Sequence, residues 1–252
     1  VPNTSNNPNL KPENIESWEV GLETAFFQNR LSFDLTYYNK VSTDLILPIS
    51  VSGTSGFTSV WVNAGEMTNE GWELAASVTP IRTDNFNWNI GFNWATNKNE
   101  VVELVEGVDN YQITSYGRSI NARVGETYGL MAGSGFTYDE NGTQIFQQLA
   151  NGNIETVRTS SKTIGATMPD YTGGVINSFT FGNFSINALV DFSQGGDIYS
   201  MSQRWGTNSG LIQETAGLND KGNPKRDPVS EGGGVHIVGV DPDGNPIDGY
   251  TD

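Results

Sequence analysis

Strict alternation of apolar and polar residues, repeated in six short segments, is the feature that most constrains how this chain folds. In the first segment Trp18, Val20 and Leu22 alternate with Glu19 and Glu23. A period of two predicts a β-strand with one apolar and one polar face. Helical periodicity is nearly absent, so the sequence predicts an all-β, antiparallel fold.

The six segments pair into three predicted hairpins separated by long connections. The hairpins are predicted at about residues 17–41, 69–97 and 173–193, and the long loops at 42–68, 98–172 and 194–252. Within each pair the turn is short, and Gly182-Asn183 in the third pair is a good two-residue hairpin signal. Alternating short turns and long loops are typical of outer-membrane barrels. A soluble sandwich has loops of moderate length at both ends.

Aromatic residues make up 11% of the chain and fall into two groups along the predicted strands. Those near the short turns are Phe26, Phe86, Phe181 and Phe184, and those near the long loops are Trp18, Tyr37, Trp72, Trp94 and Phe192. Two such belts are expected where aromatic rings sit at both membrane interfaces. The polar faces are predicted to line a wet lumen through Glu19, Glu23, Asp34, Glu73, Asn89 and Asn93. The alternation alone is equally compatible with a soluble β-sandwich.

About six strands are too few to close a membrane barrel, because known closed barrels begin near eight strands. An open edge inside lipid would leave backbone groups without hydrogen-bond partners. The chain also ends in a polar stretch, residues 248–252, with no returning strand. We therefore expect a fragment, of either natural or experimental origin, and expect residues 1–252 to form part of one barrel domain.

An ordered series of motifs resembles the TonB-dependent outer-membrane receptors, and among them the SusC/RagA-type nutrient importers. The motifs are Asn9-Leu10-Lys11-Pro12-Glu13, Trp18–Glu23, Thr43–Ile46, Asn63-Ala64-Gly65, Asn69–Leu74, Ile164–Pro169, Gly173-Gly174, Gly182-Asn183-Phe184 and Gly195–Tyr199. Each motif alone is weak, whereas their order along nearly the whole chain is specific.

The resemblance implies a 22-stranded barrel with an N-terminal plug. It also implies a segment that contacts TonB and a SusD-like surface lipoprotein as partner. The plug and the TonB-contacting segment are expected to be absent from this chain. The implied function is import of oligosaccharides or peptides across the outer membrane of a Gram-negative cell. That work is binding and gated passage, so we expect no enzymatic activity.

Composition excludes several other classes of protein. The formal net charge is −16 and only 13 residues are Lys or Arg, so nucleic acid is not expected as a partner. The absence of Cys and the presence of a single His236, interpreted as a loop residue, leave few ligands for zinc or groups for Ser-His-Asp chemistry. No cofactor is expected. A secreted β-sandwich that binds or hydrolyses glycans through paired carboxylates remains the alternative.

Four loop aromatics are candidate ligand contacts, since a flat apolar ring suits the C–H face of a sugar. They are Trp61, Tyr116, Tyr128 and Trp205. Packing of the long loops onto one another explains the same residues equally well.

One acidic loop has partial calcium-loop spacing, with Asp241, Asp243 and Asn245 at alternate positions. Pro246 occupies the sixth position, where such a loop needs Gly, and Asp252 rather than Glu occupies the twelfth. A plain Asp-Gly turn explains the same residues. We therefore predict weak calcium binding or none, and no other metal site.

Overall fold

A computed structural model describes residues 3–115, 117–150 and 152–251, and the regular secondary structure there is almost entirely β-strand. The strands are β1 Thr4–Ser5, β2 Asn14–Phe26, β3 Leu31–Thr43, β4 Ile46–Ser50, β5 Ser59–Asn63, β6 Glu66–Arg82, β7 Phe86–Ala95, β8 Lys98–Glu103, β9 Asn110–Ser115, β10 Ser119–Arg123, β11 Leu130–Phe136, β12 Phe146–Gln148, β13 Ile154–Thr156, β14 Arg158–Ala166, β15 Pro169–Phe181, β16 Phe184–Gly195, β17 Val235–Val240 and β18 Pro246–Thr251. One α-helix, α1 Met201–Asn208, and short 3-10 turns at Gly53–Ser55, Gln213–Thr215 and Val229–Glu231 complete the secondary structure. The predicted all-β, antiparallel class is confirmed.

The chain forms two compact units. The first contains Val1–Thr114, Ile120–Leu130 and Gly165–Asp197, and the second contains Ser115–Ser119, Met131–Ile164 and Ile198–Asp252. Within the described residues, no helix is both long enough and apolar enough to cross a lipid bilayer.

A seven-stranded sheet dominates the first unit. Its strand order is β16-β15-β7-β6-β3-β2, with β8 added beside β6. All these pairs are antiparallel, and the register of the first hairpin runs without interruption from Asn14 opposite Thr43 to Phe26 opposite Leu31. Hairpin follows hairpin across the sheet, which is the order of an up-and-down meander rather than the Greek-key order of most sandwiches.

The connections that the sequence predicts as long loops contain regular structure. The segment 42–68 contains β4 and β5, the segment 98–172 contains β8 to β14, and the segment 194–252 contains α1, β17 and β18. Strand β8 adds a seventh strand because β6 extends beyond its partner β7, and β8 pairs with the part from Glu66 to Glu70. Long segments find such pairings because their backbone N–H and C=O groups need hydrogen-bond partners.

The first unit also has a small apolar core away from the sheet faces. Val101, Leu104 and Ala122 are buried together, and partly buried side chains pack against them. Asn99 is buried beside this core, where its Oδ1 accepts hydrogen bonds from Thr127 Oγ1 at 2.9 Å and from the Tyr128 N–H at 2.6 Å. This core orders the segment after β8.

In the second unit, the hairpin β17–β18 packs on the pair β12–β13. Phe146 and Ile154 are buried, and Thr251 Oγ1 donates a hydrogen bond to the Ile154 carbonyl at 2.8 Å. Gly239 lies against the Phe146 ring, so closely that a Cβ atom there would stand 2.5 Å from it. Helix α1 starts at Ser200, whose Oγ accepts the Gln203 N–H at 3.1 Å, a typical N-cap bond.

Candidate functional site

The strand register separates the seven-stranded sheet into an apolar face and a polar face. On the apolar face Leu22, Leu35 and Leu74 lie opposite one another across β2, β3 and β6. Leu35 and Leu74 are half-buried, whereas at the edge of the sheet Leu22 is 54% exposed and Val20, on the same face, is 65% exposed. An exposed apolar surface of this extent is a mark of contact with another apolar phase or partner.

Aromatic rings contact each other across the strands of the apolar face. Tyr37 stands between Trp18 and Trp72, with ring centroids 5.4 and 4.9 Å away. Trp88 and Phe179 stack at 5.7 Å, and Trp88 Nε1 donates to Asn177 Oδ1 at 3.2 Å. Such cross-strand pairs are the stabilising unit of a sheet, and here the bond from Trp88 also satisfies a polar group.

The polar face gathers most of the predicted lumen residues into two neighbouring rows. One row reads Glu23, Asp34, Ala75, Asn93, Gly174, Asp191 across the six strands, and the next reads Gly21, Thr36, Glu73, Ala95, Thr172, Ser193. Glu19 lies opposite Tyr38 in a third row. Asp191 and Thr172 belong to the same surface because they lie opposite row members, Asp191 opposite Gly174 and Thr172 opposite Ala95. Pairing of β15 in the third hairpin with β7 in the second, which the sequence alone does not give, brings them there.

An open cavity of about 490 Å³ lies over these two rows. Its polar lining residues are Asp34, Thr36, Glu73, Asn93, Thr172 and Asp191. Ala75 and Ala95, one in each row, contribute little side chain, so the rows leave room between the longer polar groups. The cavity therefore offers carboxylate, amide and hydroxyl groups on one wall, a surface that suits a hydrated or hydroxyl-rich ligand.

Negative charge is concentrated on the polar face without compensation nearby. Glu23 and Asp34 lie directly opposite each other, a like-charge pair that costs stability unless water screens it. Among the ion pairs formed by described residues, Lys98 to Glu70 at 3.8 Å is the one made within the sheet, and it involves neither of these carboxylates. Uncompensated carboxylates of this kind are stable only where the face is hydrated.

Asn89 has a different environment from the other predicted lumen residues. Its Nδ2 donates to Ser77 Oγ at 3.0 Å and to Thr79 Oγ1 at 3.1 Å. The amide is therefore held against β6, next to the register shift between Val78 and Ile81. We infer a structural contribution for Asn89, whereas Asn93 lines the cavity.

The predicted ligand aromatics that the structure describes are divided between the two units. Trp61 is half-buried in β5, and Tyr128 is 41% exposed in the first unit, with its N–H bound to Asn99. Trp205 belongs to the second unit, on α1, where it is 57% exposed and carries the Arg204 guanidinium 5.7 Å above its ring. Tyr116 lies outside the described residues.

The predicted calcium residues form the tight tip of the β17–β18 hairpin. Asp241 Oδ1 accepts the N–H groups of Asp243 at 2.9 Å and Asn245 at 2.8 Å, and its Oδ2 accepts Asn245 Nδ2 at 2.9 Å. The same pattern of bonds recurs at Asp139–Thr143 and Asn219–Asn223. These bonds, the strongest of them from Asn245, hold the pKa of Asp241 below its usual value. Within the described residues, no group of three metal-ligating side chains converges.

His236 lies in strand β17 rather than in a loop, which corrects the interpretation from the sequence. The segment Val235–Val240 has only six residues and contains Gly239, so its alternation of apolar and polar residues is too weak to predict a strand. The turn at 241–245 and the second short run, Pro246–Thr251, are the signals that could have revealed the hairpin.

Comparison with known proteins gives a consistent family match. Residues 1–210 match the family model "TonB dependent receptor-like, beta-barrel". TonB-dependent receptor P3 of Formosa agariphila is 31% identical over 86% of this chain and 24% of its own length. TonB-dependent receptor SusC of Bacteroides thetaiotaomicron is 29% identical over 58% of this chain and 16% of its own. The chain thus spans at most about a quarter of the length of these relatives.

Among solved structures, the chain is similar to one described as "Structure of the RagAB peptide transporter". The identity is 25% and the TM-score 0.57, over 74% of this chain and 21% of that chain. A second structure, of the RagAB peptide importer in its "closed-closed" state, gives 25% identity and a TM-score of 0.59 over 75% of this chain and 22% of that chain. Both comparisons point to one barrel architecture.

Proposed function

The chain belongs to the TonB-dependent receptor-like β-barrel family, and from this premise we propose that it is part of the barrel wall of a SusC-type outer-membrane importer. The family consists of transporters and receptors rather than enzymes. The observation that carries the proposal is the separation of one meander sheet into an exposed apolar face and an acidic polar face. That pattern fits a wall between lipid and an aqueous lumen.

The edges of the sheet agree with this position. Strands β2 and β16 each have one neighbour in the sheet, and β16 is exposed along its whole length. In lipid, such edges are stable only when further strands continue the sheet to closure. We propose that the remaining strands of a larger barrel pair with β2 and β16, and that the three short turns lie at the periplasmic end.

We further propose that the transported ligand is an oligosaccharide or a peptide. Both carry many hydroxyl or amide groups, which the carboxylate, amide and hydroxyl groups around the cavity can bind. The solved relatives are described as peptide transporters, which favours a peptide. The family resemblance supports TonB as the energy-transmitting partner and a SusD-like lipoprotein as a second partner outside the cell. We propose Trp205 as the first aromatic to test for ligand contact, since its ring is more exposed than that of Tyr128.

Fractionation and uptake in the native cell test these proposals. The intact protein is expected only in detergent-solubilised outer membranes. Cells lacking its gene are expected to lose energy-dependent uptake of a labelled oligosaccharide mixture or of a labelled tryptic peptide mixture. Recovery of the intact protein as a soluble monomer would contradict the membrane location and favour the soluble sandwich. Unchanged uptake of both mixtures would contradict the importer. Unchanged uptake by a Trp205→Ala receptor would assign Trp205 a structural role.

A further inference from the structure

His236 is placed between two carboxylates that come from different parts of the second unit. Its Nε2 lies 2.7 Å from Asp248 Oδ1, and its Nδ1 lies 3.1 Å from Asp220 Oδ2. Asp248 belongs to β18, whereas Asp220 belongs to the turn Asn219–Asn223. The two ring nitrogens of one imidazole therefore connect the hairpin to a separate turn.

Tyr250 and Lys221 complete this cluster. Tyr250 lies directly opposite His236 in the β17–β18 ladder, and their rings stack with centroids 5.0 Å apart. The Tyr250 hydroxyl donates to Asp220 Oδ1 at 2.6 Å, and Lys221 Nζ lies 3.7 Å from the Tyr250 ring centroid. Both oxygens of Asp220 are thus engaged by residues of the hairpin.

We propose that protonated His236 links the turn Asn219–Asn223 to the β17–β18 hairpin, and that this link is stronger at acidic than at alkaline pH. We call this link the His236 clamp. An imidazolium donates from both nitrogens, whereas a neutral imidazole has one N–H and one lone pair. With both carboxylates ionised, the neutral ring turns its lone pair toward a carboxylate oxygen, and that contact becomes repulsive. The two short contacts of His236 are both favourable in the protonated form alone.

The other groups around the ring keep their charge through the range in which imidazole titrates. The Tyr250 hydroxyl bond and then the His236 charge hold the pKa of Asp220 below its usual value. The bond to Asp220 raises the pKa of Tyr250 to about 12. Asp248 and Lys221 are the other charged groups beside the ring. Strand β17 contributes no titratable side chain besides His236.

The consequence is a turn that opens more often as pH rises. The neutral ring retains the shorter contact with Asp248 and loses the contact with Asp220. Asp220 then keeps its bond from Tyr250, and the turn also keeps the bond from Asn219 Nδ2 to the Gly232 carbonyl at 2.9 Å. The loosened element is the turn, and the hairpin itself keeps its backbone ladder.

Hydrogen-deuterium exchange of the intact receptor in detergent, at pH 5.5 and pH 8.0, tests the clamp. After correction for the pH dependence of chemical exchange, peptides covering 218–224 are expected to open about five- to tenfold more often at pH 8.0. A His236→Gln receptor should show equal opening at the two pH values. Tyr250→Phe is the matched control, because it removes a bond to Asp220 and keeps His236. It should open more at both pH values and keep the pH response.

Two results would overturn the proposal: equal opening of the wild-type turn at both pH values, or an unchanged pH response in His236→Gln. If His236→Gln does not fold, Asp248→Asn provides the second test. An amide can accept from or donate to the ring nitrogen, so the Asp248→Asn receptor should respond to pH less than wild type. An undiminished response there would also refute the clamp.

Discussion

The seven-stranded sheet and the segment 198–251 hold their shapes by different kinds of contact. In the sheet, long ladders of backbone hydrogen bonds hold the strands together, and most side chains of β2 and β16 are exposed. In the segment 198–251, individual side chains bind backbone groups, as Arg226 does when its Nη2 donates to the Ile212 carbonyl at 3.2 Å. The sheet should therefore tolerate many substitutions, provided that they keep the polar or apolar character of the face and fit the space available. In the segment 198–251, by contrast, single polar residues decide whether the local structure is ordered.

The largest expected effect in this comparison comes from loss of clearance inside the sheet. A Cβ atom on Gly71 would stand 2.1 Å from the Thr96 carbonyl oxygen and 2.6 Å from Tyr38 Oη. Gly71→Ala should lower the free energy of unfolding by about 3–5 kcal/mol, because a backbone atom cannot move aside cheaply. The measurement is the folded fraction of the receptor in outer membranes, read from the heat-dependent shift of its electrophoretic mobility.

Two glycines serve as controls for Gly71→Ala. Gly53 has open space where its Cβ would lie, so Gly53→Ala should leave the folded fraction unchanged. In the segment 198–251, a Cβ on Gly233 would stand 1.9 Å from the Asp227 carbonyl oxygen. Gly233→Ala should disorder the segment and leave the barrel folded. An unfolded barrel in Gly233→Ala would show that the two regions are not held independently.

The second prediction concerns the two faces of one strand. Leu22→Arg places a charge on the apolar face and should cost about 2–4 kcal/mol if that face meets the middle of a bilayer. Its neighbour Glu23 lies on the opposite face, across from Asp34, so Glu23→Arg should be neutral or slightly stabilising. Urea titration of receptor folded into lipid vesicles measures both. Equal destabilisation by the two variants would contradict the assignment of the faces.

The sheet could be anticipated from the sequence because its contacts are periodic. Alternation at Trp18 to Glu23 specifies which side chains share a face, and Gly182-Asn183 specifies where a hairpin turns. Which hairpin pairs with which is harder to predict from the sequence. Strand β15 pairs with β7 and so brings Thr172 and Asp191 beside Glu73. The paired residues are separated by about eighty residues of chain. No local pattern encodes such a distance.

The segment 198–251 could not be anticipated in the same way. His236, Asp220 and Tyr250 meet because three short pieces of chain converge, and each piece alone has the composition of a polar loop. The turn at Asp241 is the part that could be predicted, since the Asp-Gly pattern indicates a turn whatever surrounds it. Side-chain contacts between distant turns have no period, so their partners emerge only with the fold.

The third prediction tests whether single polar bonds order the segment 198–251. Because the pKa of Tyr250 is raised to about 12, its bond to Asp220 stabilises the segment below the ordinary tyrosine pKa and is lost as pH rises through about 12. Because the pKa of Asp220 is lowered, its contribution is lost as pH falls through that lowered value. The alkaline absorbance titration of wild type minus Tyr250→Phe should show one phenol centred near pH 12. A phenol centred near pH 10 would contradict the bond.

The smallest expected effect is at the tip of the β17–β18 hairpin, where two neighbouring aspartates differ in role. The Asp241 carboxylate accepts three hydrogen bonds within the tip, whereas Asp243 contributes its backbone N–H. Asp241→Ala should make exchange at residues 243–245 about three- to tenfold faster, and Asp243→Ala should leave it unchanged. Because these three donors already occupy both oxygens of Asp241, calcium should bind this tip weakly or not at all. Calorimetry of the intact receptor that gave a micromolar dissociation constant, abolished by Asp241→Ala, would show instead that the tip opens to take the ion.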